Sequence, residues 1–431
     1  MTDPVVVRGA ALALPVLLLV ALVAHRRPTE RDLAAAVLAT AWSAAALAPL
    51  NLVATRLGWW TFDAEGAVWR GLPVDLWWSW ALLWGVVPAL ALRVAHPVPV
   101  VAALVWVDLL LMPAADPVVR LGDRWLVGEA VGIGAALLPA VLLARWTLGR
   151  RHLALRAWAQ AACAGALLVA LPVLAAGTTP RWPAPVTAVG IQVALLVCLP
   201  GLAAMRELAR TGGGTPLPYD PPRRLVDTGP YAYVRNPMQL TVALLFAVLA
   251  ATFGDARLVI GTVVAVGYSA GLAAWHEGAQ LRRRFGDGWE EYVTAVPSWR
   301  PRWRPVPPRE PAVLWVAADC GTCRGVARWL LARRPVGLDL RPAAGHPDVL
   351  WRLTYEHAGT RAQGVRAFAR ALGHLHLGWA VTGWTLDLPV MSHFAQLGTD
   401  AFGAGPRPSR TTATCPPLSP PAPPGRPAAG W

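Results

Sequence analysis

Apolar residues in this chain fall in blocks of roughly twenty, the length an α-helix needs to cross ~30 Å of hydrocarbon at ~1.5 Å per residue. About nine such blocks can be read by this criterion: Val5 to Ala24, Leu33 to Val53, Leu76 to Ala95, Val98 to Pro113, Leu126 to Leu143, Ala157 to Ala176, Val186 to Met205, Met238 to Phe253 and Leu258 to Trp275. The fourth and eighth are short, which leaves tilted or re-entrant segments open. Val5 to Ala24 has no small-residue cleavage site before His25, Arg26 and Arg27, so it reads as a retained helix. After Trp275 the pattern changes. Residues 303–311 are Pro-rich, Ala312 onward alternates strand-like and helix-like runs, and the end is a Pro-rich tail without apolar residues to pack. The predicted fold is an all-α multi-pass membrane bundle plus a small α/β C-terminal domain. Its parts are a helical scaffold over 1–176, a membrane core over 177–302, a linker over 303–311, a soluble domain over 312–407 and a disordered tail over 408–431.

Composition agrees with a lipid-embedded chain: 55% of residues are hydrophobic and 15% charged. The formal net charge of +14 would suggest nucleic acid in a soluble protein. Here the arginines cluster at block ends instead. Arg26, Arg27, Arg31, Arg93, Arg145, Arg150, Arg151, Arg156, Arg206, Arg210, Arg223 and Arg224 occupy alternate connections, and the connections between carry only Arg56, Arg70, Arg120, Arg124, Arg181 and Arg257. By the positive-inside rule the first set is cytoplasmic, which puts the N-terminus outside and everything after Trp275 inside. No nucleic-acid motif, nucleotide-phosphate loop or Ser-His-Asp constellation is present. The five cysteines form no secreted disulfide framework, and only Cys320 and Cys323 are spaced as a motif.

The phrase "GPYAYVRNPMQL", Gly229 to Leu240, lies between two apolar blocks. Gly229 and Pro230 suit a turn, and Pro237 pushes Asn236 off helical angles, so Arg235 and Asn236 occupy irregular backbone at a helix start. Such backbone survives at a membrane boundary or along a cavity, and a guanidinium there needs an anion. An isolated Arg-Asn-Pro is also a plain topology signal with interfacial tyrosines. A second polar stretch, "HEGAQLRRRFGDGWEEYVTAVPSWRPR", begins at His276. The two blocks between, joined at "GDA", form a hairpin that returns Arg235 and Glu277 to one face, where they would clamp a zwitterionic ligand.

Together the two phrases, from about Gly214 to Arg302, resemble the isoprenylcysteine carboxyl methyltransferases and their phospholipid methyltransferase relatives. These are integral membrane enzymes using S-adenosylmethionine. The resemblance implies that Gly229, Tyr231, Arg235, Asn236, Pro237 and Glu277 surround the cofactor, with Arg235 and Glu277 also serving catalysis. Arg235 would pair with the cofactor carboxylate or with a substrate anion. Glu277 would meet the cofactor's amino group or ribose hydroxyls. His276 is either a base for a neutral nucleophile or an interfacial helix-end residue. Phe285, Gly286 and Tyr292 carry the end of the pattern. The chain departs from it at Gly278, where a second carboxylate is usual, at Gln239 and at Trp289. The acceptor so implied is a lipophilic small molecule or a prenyl-linked carboxylate, delivered among membrane lipids.

"AVLWVAADCGTCRGVARWLLARR", Ala312 to Arg334, reads as a buried strand, a CxxC turn and an amphipathic helix, with "VGLDL", Val336 to Leu340, as the next strand. Cys320 thereby opens a helix, where the dipole favours a nucleophilic thiolate. Half of a zinc site or two buried thiols are the other readings, and no second metal-spaced pair follows. Asp319, Cys320 and Cys323 resemble the D-C-x-x-C signature of the thioredoxin-like DCC family, over about Ala312 to Arg407. The family's aromatic lead-in is replaced by Val316, Ala317 and Ala318, and no Thr-Pro pair is evident. The resemblance implies that Cys320 attacks and Cys323 resolves, with a thiol redox partner.

In the N-terminal part, "LNLVATRLGWWTFDAEGAVWRGLPVDLWWSWALLW" places tryptophans at an outer boundary as an aromatic belt. It also faintly resembles membrane carotenoid-cyclase domains, with Asp63 and Asp75 as candidate acids. Asp108 and Glu129 fall inside or beside apolar blocks, where carboxylates are costly. The leading expectation is a membrane methyltransferase fused to a thiol–disulfide oxidoreductase domain. The alternatives are a membrane-anchored oxidoreductase with a degenerate methyltransferase core, and a non-catalytic or transporter-like scaffold.

Overall fold

The computed structural model describes residues 3–217, 219–268, 270–271, 274–317, 320–406 and 408. Asp319 and most of the Pro-rich tail lie outside the described residues, as do the side chains of His276 and Glu277. The chain is mostly helical and its contacts divide it into two compact units, residues 1–181 with 213–223, and residues 182–212 with 224–431.

The first unit runs α1 (Pro4–His25), α2 (Glu30–Leu57), the short strands β1 (Trp60–Phe62), β2 (Val68–Trp69) and β3 (Leu72–Pro73), then α3 (Val74–Trp84) and α4 (Val86–Ala91). It continues with α5 (Pro97–Ala114), β4 (Val119–Leu121), α6 (Trp125–Gly132) leading through a π-helical turn into α7 (Leu138–Leu148), and α8 (Leu153–Ala164) leading likewise into α9 (Leu171–Ala175). Thr29 and Asp32 form a reciprocal capping box that starts α2, and Gly58, at φ 67°, ends it. Alanines set the packing: Ala35, Ala36 and Ala39 of α2 meet Ala89, Ala140 and Ala144, letting backbones approach where larger side chains would hold them apart. The pairings β1 with β4 and β2 with β3 have no counterpart in the sequence reading, because strands of two or three residues carry no measurable period. Residues 213–223, expected in the membrane core, belong to this unit and are tied to it by an ion pair between Arg156 and Asp220.

The second unit begins with α10 (Ala184–Glu207), extended by a π-helical turn over Leu208–Gly212. A 3-10 turn over Gly229–Ala232 precedes α11 (Pro237–Phe253), α12 (Val259–Tyr268), α13 (Ala274–Phe285) and α14 (Asp287–Ala295). Pro237 occupies the first turn of α11, and Asn236 before it is non-helical at φ −114°, ψ 60°, as expected of a residue preceding proline. α10 and α11 pack closely enough that a Cβ on Gly201 would sit 2.7 Å from Thr241 Cγ2. The expected hairpin is present: α11 and α12 turn at Gly254–Asp255, and Thr262 Oγ1 donates to the Ala243 carbonyl at 3.2 Å.

The remainder of this unit contains β5 (Ala312–Val316), α15 (Gly321–Ala332), β6 (Leu338–Pro342), β7 (Thr354–His357), β8 (Thr360–Gln363), α16 (Val365–Leu372), α17 (Leu377–Asp387) and α18 (Pro389–Thr399). The four strands form one sheet in the order β6-β5-β7-β8, parallel between β5 and β6 and antiparallel elsewhere. β5 is central and buries Ala312, Leu314 and Val316 against Ala327 and Leu330 of α15 and Leu372 of α16. The second strand begins two residues later than its sequence pattern suggests. Gly337 takes φ 65° and its carbonyl accepts from Ala312 N, so regular pairing starts only at Leu338.

Among the described residues, seven helices are long and apolar enough to cross a membrane: Pro4–His25, Glu30–Leu57, Val74–Ala91, Pro97–Ala114, Trp125–Leu148, Leu153–Ala175 and Ala184–Gly212. The eighth and ninth blocks form shorter apolar helices, Pro237–Phe253 and Ala256–Tyr268. The fourth block, short by sequence, is a full 18-residue helix because Pro97 and Ala114 join it.

Candidate functional site

The phrase at Gly229 to Pro237 is held by backbone hydrogen bonds to the Pro-rich segment 297–311, which includes the expected linker. Arg235 N donates to the Pro297 carbonyl at 2.9 Å and Asn236 N to the Ser298 carbonyl at 3.3 Å. Arg302 N donates to the Tyr233 carbonyl at 3.0 Å and Val306 N to the Ala232 carbonyl at 2.9 Å. Prolines supply no N–H but keep their carbonyls, so the few non-proline residues become the donors. The segment is also sewn to α17, where Leu377 N donates to the Trp303 carbonyl at 2.8 Å and the Trp303 ring stacks on His376. It is therefore a strap along this unit.

The two phrases that carry the resemblance meet. Tyr231 and Tyr292 share a buried cluster with Ala204, Leu208, Val226 and Val296, with Trp289 packed against it, and Tyr292 OH donates to the Tyr231 carbonyl at 3.0 Å. Tyr233, fully buried, sends its OH to the carbonyls of Gly373 and Leu375 at 3.0 and 3.2 Å and meets Trp384 edge-on. Burial pushes the phenols of Tyr231's partner Tyr292, of Tyr233 and of Tyr355 above their ordinary range, so all three stay protonated donors.

The structure redistributes the expected site residues. Arg235 donates to Ser298 Oγ of the strap. Asn236 and Pro237 shape the start of α11. Glu277 lies in α13 by its backbone, and its side chain is outside the described residues. Gly229 lines a cleft with Glu207, Asp227 and Thr228, walled further by Tyr355 and His374. It sits at φ 59°, and a Cβ there would come within 3.1 Å of Glu207 Cγ. Glu207 is the carboxylate that sequence reasoning missed. Its Oε1 accepts from Thr211 at 2.9 Å and Thr228 at 2.5 Å, and its Oε2 accepts from no donor among the described residues. The one available signal was its place as the sole acid in the last turn of an apolar block.

His374 defines the opposite wall. Nδ1 lies 2.8 Å from the Val336 carbonyl and so carries the proton, leaving Nε2 to accept from Tyr355 OH at 3.0 Å. Burial pushes this imidazole down to about 4, against the opposing pull of the Val336 carbonyl. Because the folded value lies below the ordinary ~6.5, the neutral ring contributes stability that is complete above pH ~6.5 and is lost as pH falls toward 4. The expected loss is roughly 3 kcal/mol across that window. Thermal unfolding of the full chain should show it, and the His374→Gln variant should flatten the profile; a flat wild-type profile would remove the assignment.

Cys320 caps α15, with its Sγ 3.4 Å from Cys323 N, and both cysteines are half-buried. They open on a groove lined by Ala317, Gly321, Trp351, Leu353 and Phe368. No group of three metal-ligating side chains occurs among the described residues. In the first unit, Asp75 forms a two-pronged pair with Arg8 at 2.6 and 2.9 Å, and exposed Asp63 pairs with Arg120. Buried Asp108 accepts from Trp80 Nε1 at 2.6 Å and is brought beside buried Glu129.

Comparison with protein-family models, curated proteins and solved structures returned no match for this chain.

Proposed function

We propose that the second unit is a membrane methyltransferase using S-adenosylmethionine, with the cofactor held in the cleft at Glu207, Asp227, Thr228 and Gly229. The observation that carries this reading is that the two phrases resembling such enzymes, far apart in sequence, pack on one another through Tyr231 and Tyr292 beside that cleft. The lining offers groups the cofactor would use: Glu207 Oε2 is free to accept from an amino group or ribose hydroxyls, and the absence of a side chain at Gly229 keeps space beside that carboxylate. When bound, S-adenosylmethionine supplies a methyl that is already electrophilic, so the chain's work is alignment, worth up to ~7–11 kcal/mol in favourable cases. A carboxylate acceptor needs no general base, which suits a lipophilic, prenyl-linked acid reaching the cleft from the bilayer. Calorimetry of the purified protein in detergent tests the cofactor step: saturable binding is expected, and its absence removes the reading.

A thiol–disulfide activity is the second reading, supported by Cys320 at the N-terminus of α15 directly after β5, within a β-α-β unit of thioredoxin-like character. The attacking Cys320 Sγ would form a mixed disulfide with a substrate disulfide, and Cys323 would displace the substrate thiolate as the intramolecular disulfide forms. The Cys323→Ser variant is expected to trap the mixed disulfide and the Cys320→Ser variant to form none. Equal trapping by both, or none by either, counts against it.

A further inference from the structure

Four arginines converge on a single carboxylate beside the cleft. Asp387, at the end of α17, accepts from Arg210 Nη1 at 2.9 Å and Arg366 Nε at 3.2 Å and forms an ion pair with Arg206 Nη1 at 3.2 Å, while Arg370 Nε lies 3.8 Å away. Two of the four come from α10 and its π-helical extension and two from α16. The other acids lining the same cleft are Glu207 and Asp227, so the formal count is four positive charges against three negative, an excess of one. Water does not relieve this excess everywhere, because the Arg206 and Arg370 side chains are only 9% and 12% exposed. Arg370 Nε is buried with no hydrogen-bond partner among the described residues. His374 adds no charge near neutral pH, since its value lies at about 4. Buried like charges in this arrangement are costly unless an anion completes them. Arg206, Arg370 and Asp387 line the same cleft as Glu207, so an anion has a route to them.

We infer that this cluster is an oxyanion site for a phosphate group, supplied either as free phosphate or as the phosphoryl headgroup of an anionic lipid. A phosphate monoester carries about −1.5 to −2 at neutral pH, enough to offset this excess, and its oxygens fit the planar fork of guanidinium donors. The site stands apart from the methyl-transfer reading, because it needs only the charge count, the burial and the unpartnered Arg370 Nε.

The test is titration of the purified full chain with inorganic phosphate, at constant ionic strength maintained with chloride. Saturable binding is expected in the wild type, weakened at least about tenfold in Arg370→Gln and in Arg206→Gln by loss of a charge-assisted donor. Asp387→Asn removes the competing carboxylate and is expected to tighten binding. Competition by phosphatidic acid in mixed micelles, with phosphatidylcholine inert, assigns the source to lipid; phosphate binding that phosphatidic acid leaves unchanged assigns it to free phosphate. A wild type that neither binds phosphate nor gains thermal stability from it overturns the inference. Weaker binding in Asp387→Asn, with its melting unchanged, does so as well, since the arginines would then be organised around Asp387 alone.

Discussion

Replacing Tyr233 by alanine is expected to cost about 3–5 kcal/mol, the range seen when a large buried aromatic is truncated. The ring is fully buried among Ala203, Ala232, Ala380 and Trp384, and no neighbour can move in without breaking α10 or α17. The change also strips the shared donor from the Gly373 and Leu375 carbonyls, just where α16 hands over to α17. Tyr233→Phe keeps the ring and loses only the donor, for about 1–3 kcal/mol. Because the Tyr233 and Ala232 carbonyls hold Arg302 and Val306, the alanine variant should also release the strap. Thermal unfolding gives the first effect and protease cleavage within 303–311 the second. If both variants melt and cleave like the wild type, Tyr233 does not hold these elements together.

Glu207→Gln is expected to weaken S-adenosylmethionine binding by roughly 10- to 150-fold, the worth of about 1.5–3 kcal/mol for a hydrogen bond to a charged acceptor. Glutamine keeps the volume and one acceptor oxygen, so Thr211 and Thr228 retain a partner and the loss reads the charge. Gly229→Val places a branched side chain at φ 59°, at about 1–2 kcal/mol for the left-handed backbone, and crowds Glu207 Cγ. Binding should fall below detection. Arg235→Ala separates the structural assignment from the one the sequence suggests. Arg235 is bonded to Ser298 and its backbone to Pro297, so its loss should loosen the strap and change cofactor affinity less than Glu207→Gln does. A larger affinity loss at Arg235 than at Glu207 would return the cofactor to the Arg235 side and remove Glu207 from the site.

The membrane helices were legible because their signal is local and redundant. An apolar run of about twenty residues is one measurement repeated along the chain; seven of the nine blocks coincide with the helices long and apolar enough to cross a membrane among the described residues, and the other two form shorter apolar helices. Val98 to Pro113 looked short because Pro97 and Ala114 were left out of it, although proline is tolerated in a first helical turn. β5, α15 and the CxxC turn were legible for the same reason, each being a contiguous period followed by a cap. β1 to β4 were too short to carry any period.

The candidate site was legible only in part. Gly229 was legible as a turn residue because a glycine-proline pair announces itself in sequence, and it takes φ 59° beside the cleft; Tyr231 and Tyr292 were marked by their phrases. The partner assigned to the phrase was another matter. A guanidinium demands an acceptor, and sequence distance offered Glu277, whose side chain is outside the described residues; the fold gives the Arg235 guanidinium the Ser298 hydroxyl of the Pro-rich strap.

By itself, the sequence determined that this chain is a series of apolar helices closed by a small α/β region with a CxxC turn, because those features depend on neighbours a few residues apart. Tertiary structure alone decided that Glu207 faces Gly229 and that four arginines gather on Asp387. It also decided that the strap pairs with the phrase before α11. Those contacts join positions as many as 181 apart, from Arg206 to Asp387, and long-range pairing leaves no period in a sequence for local reasoning to find.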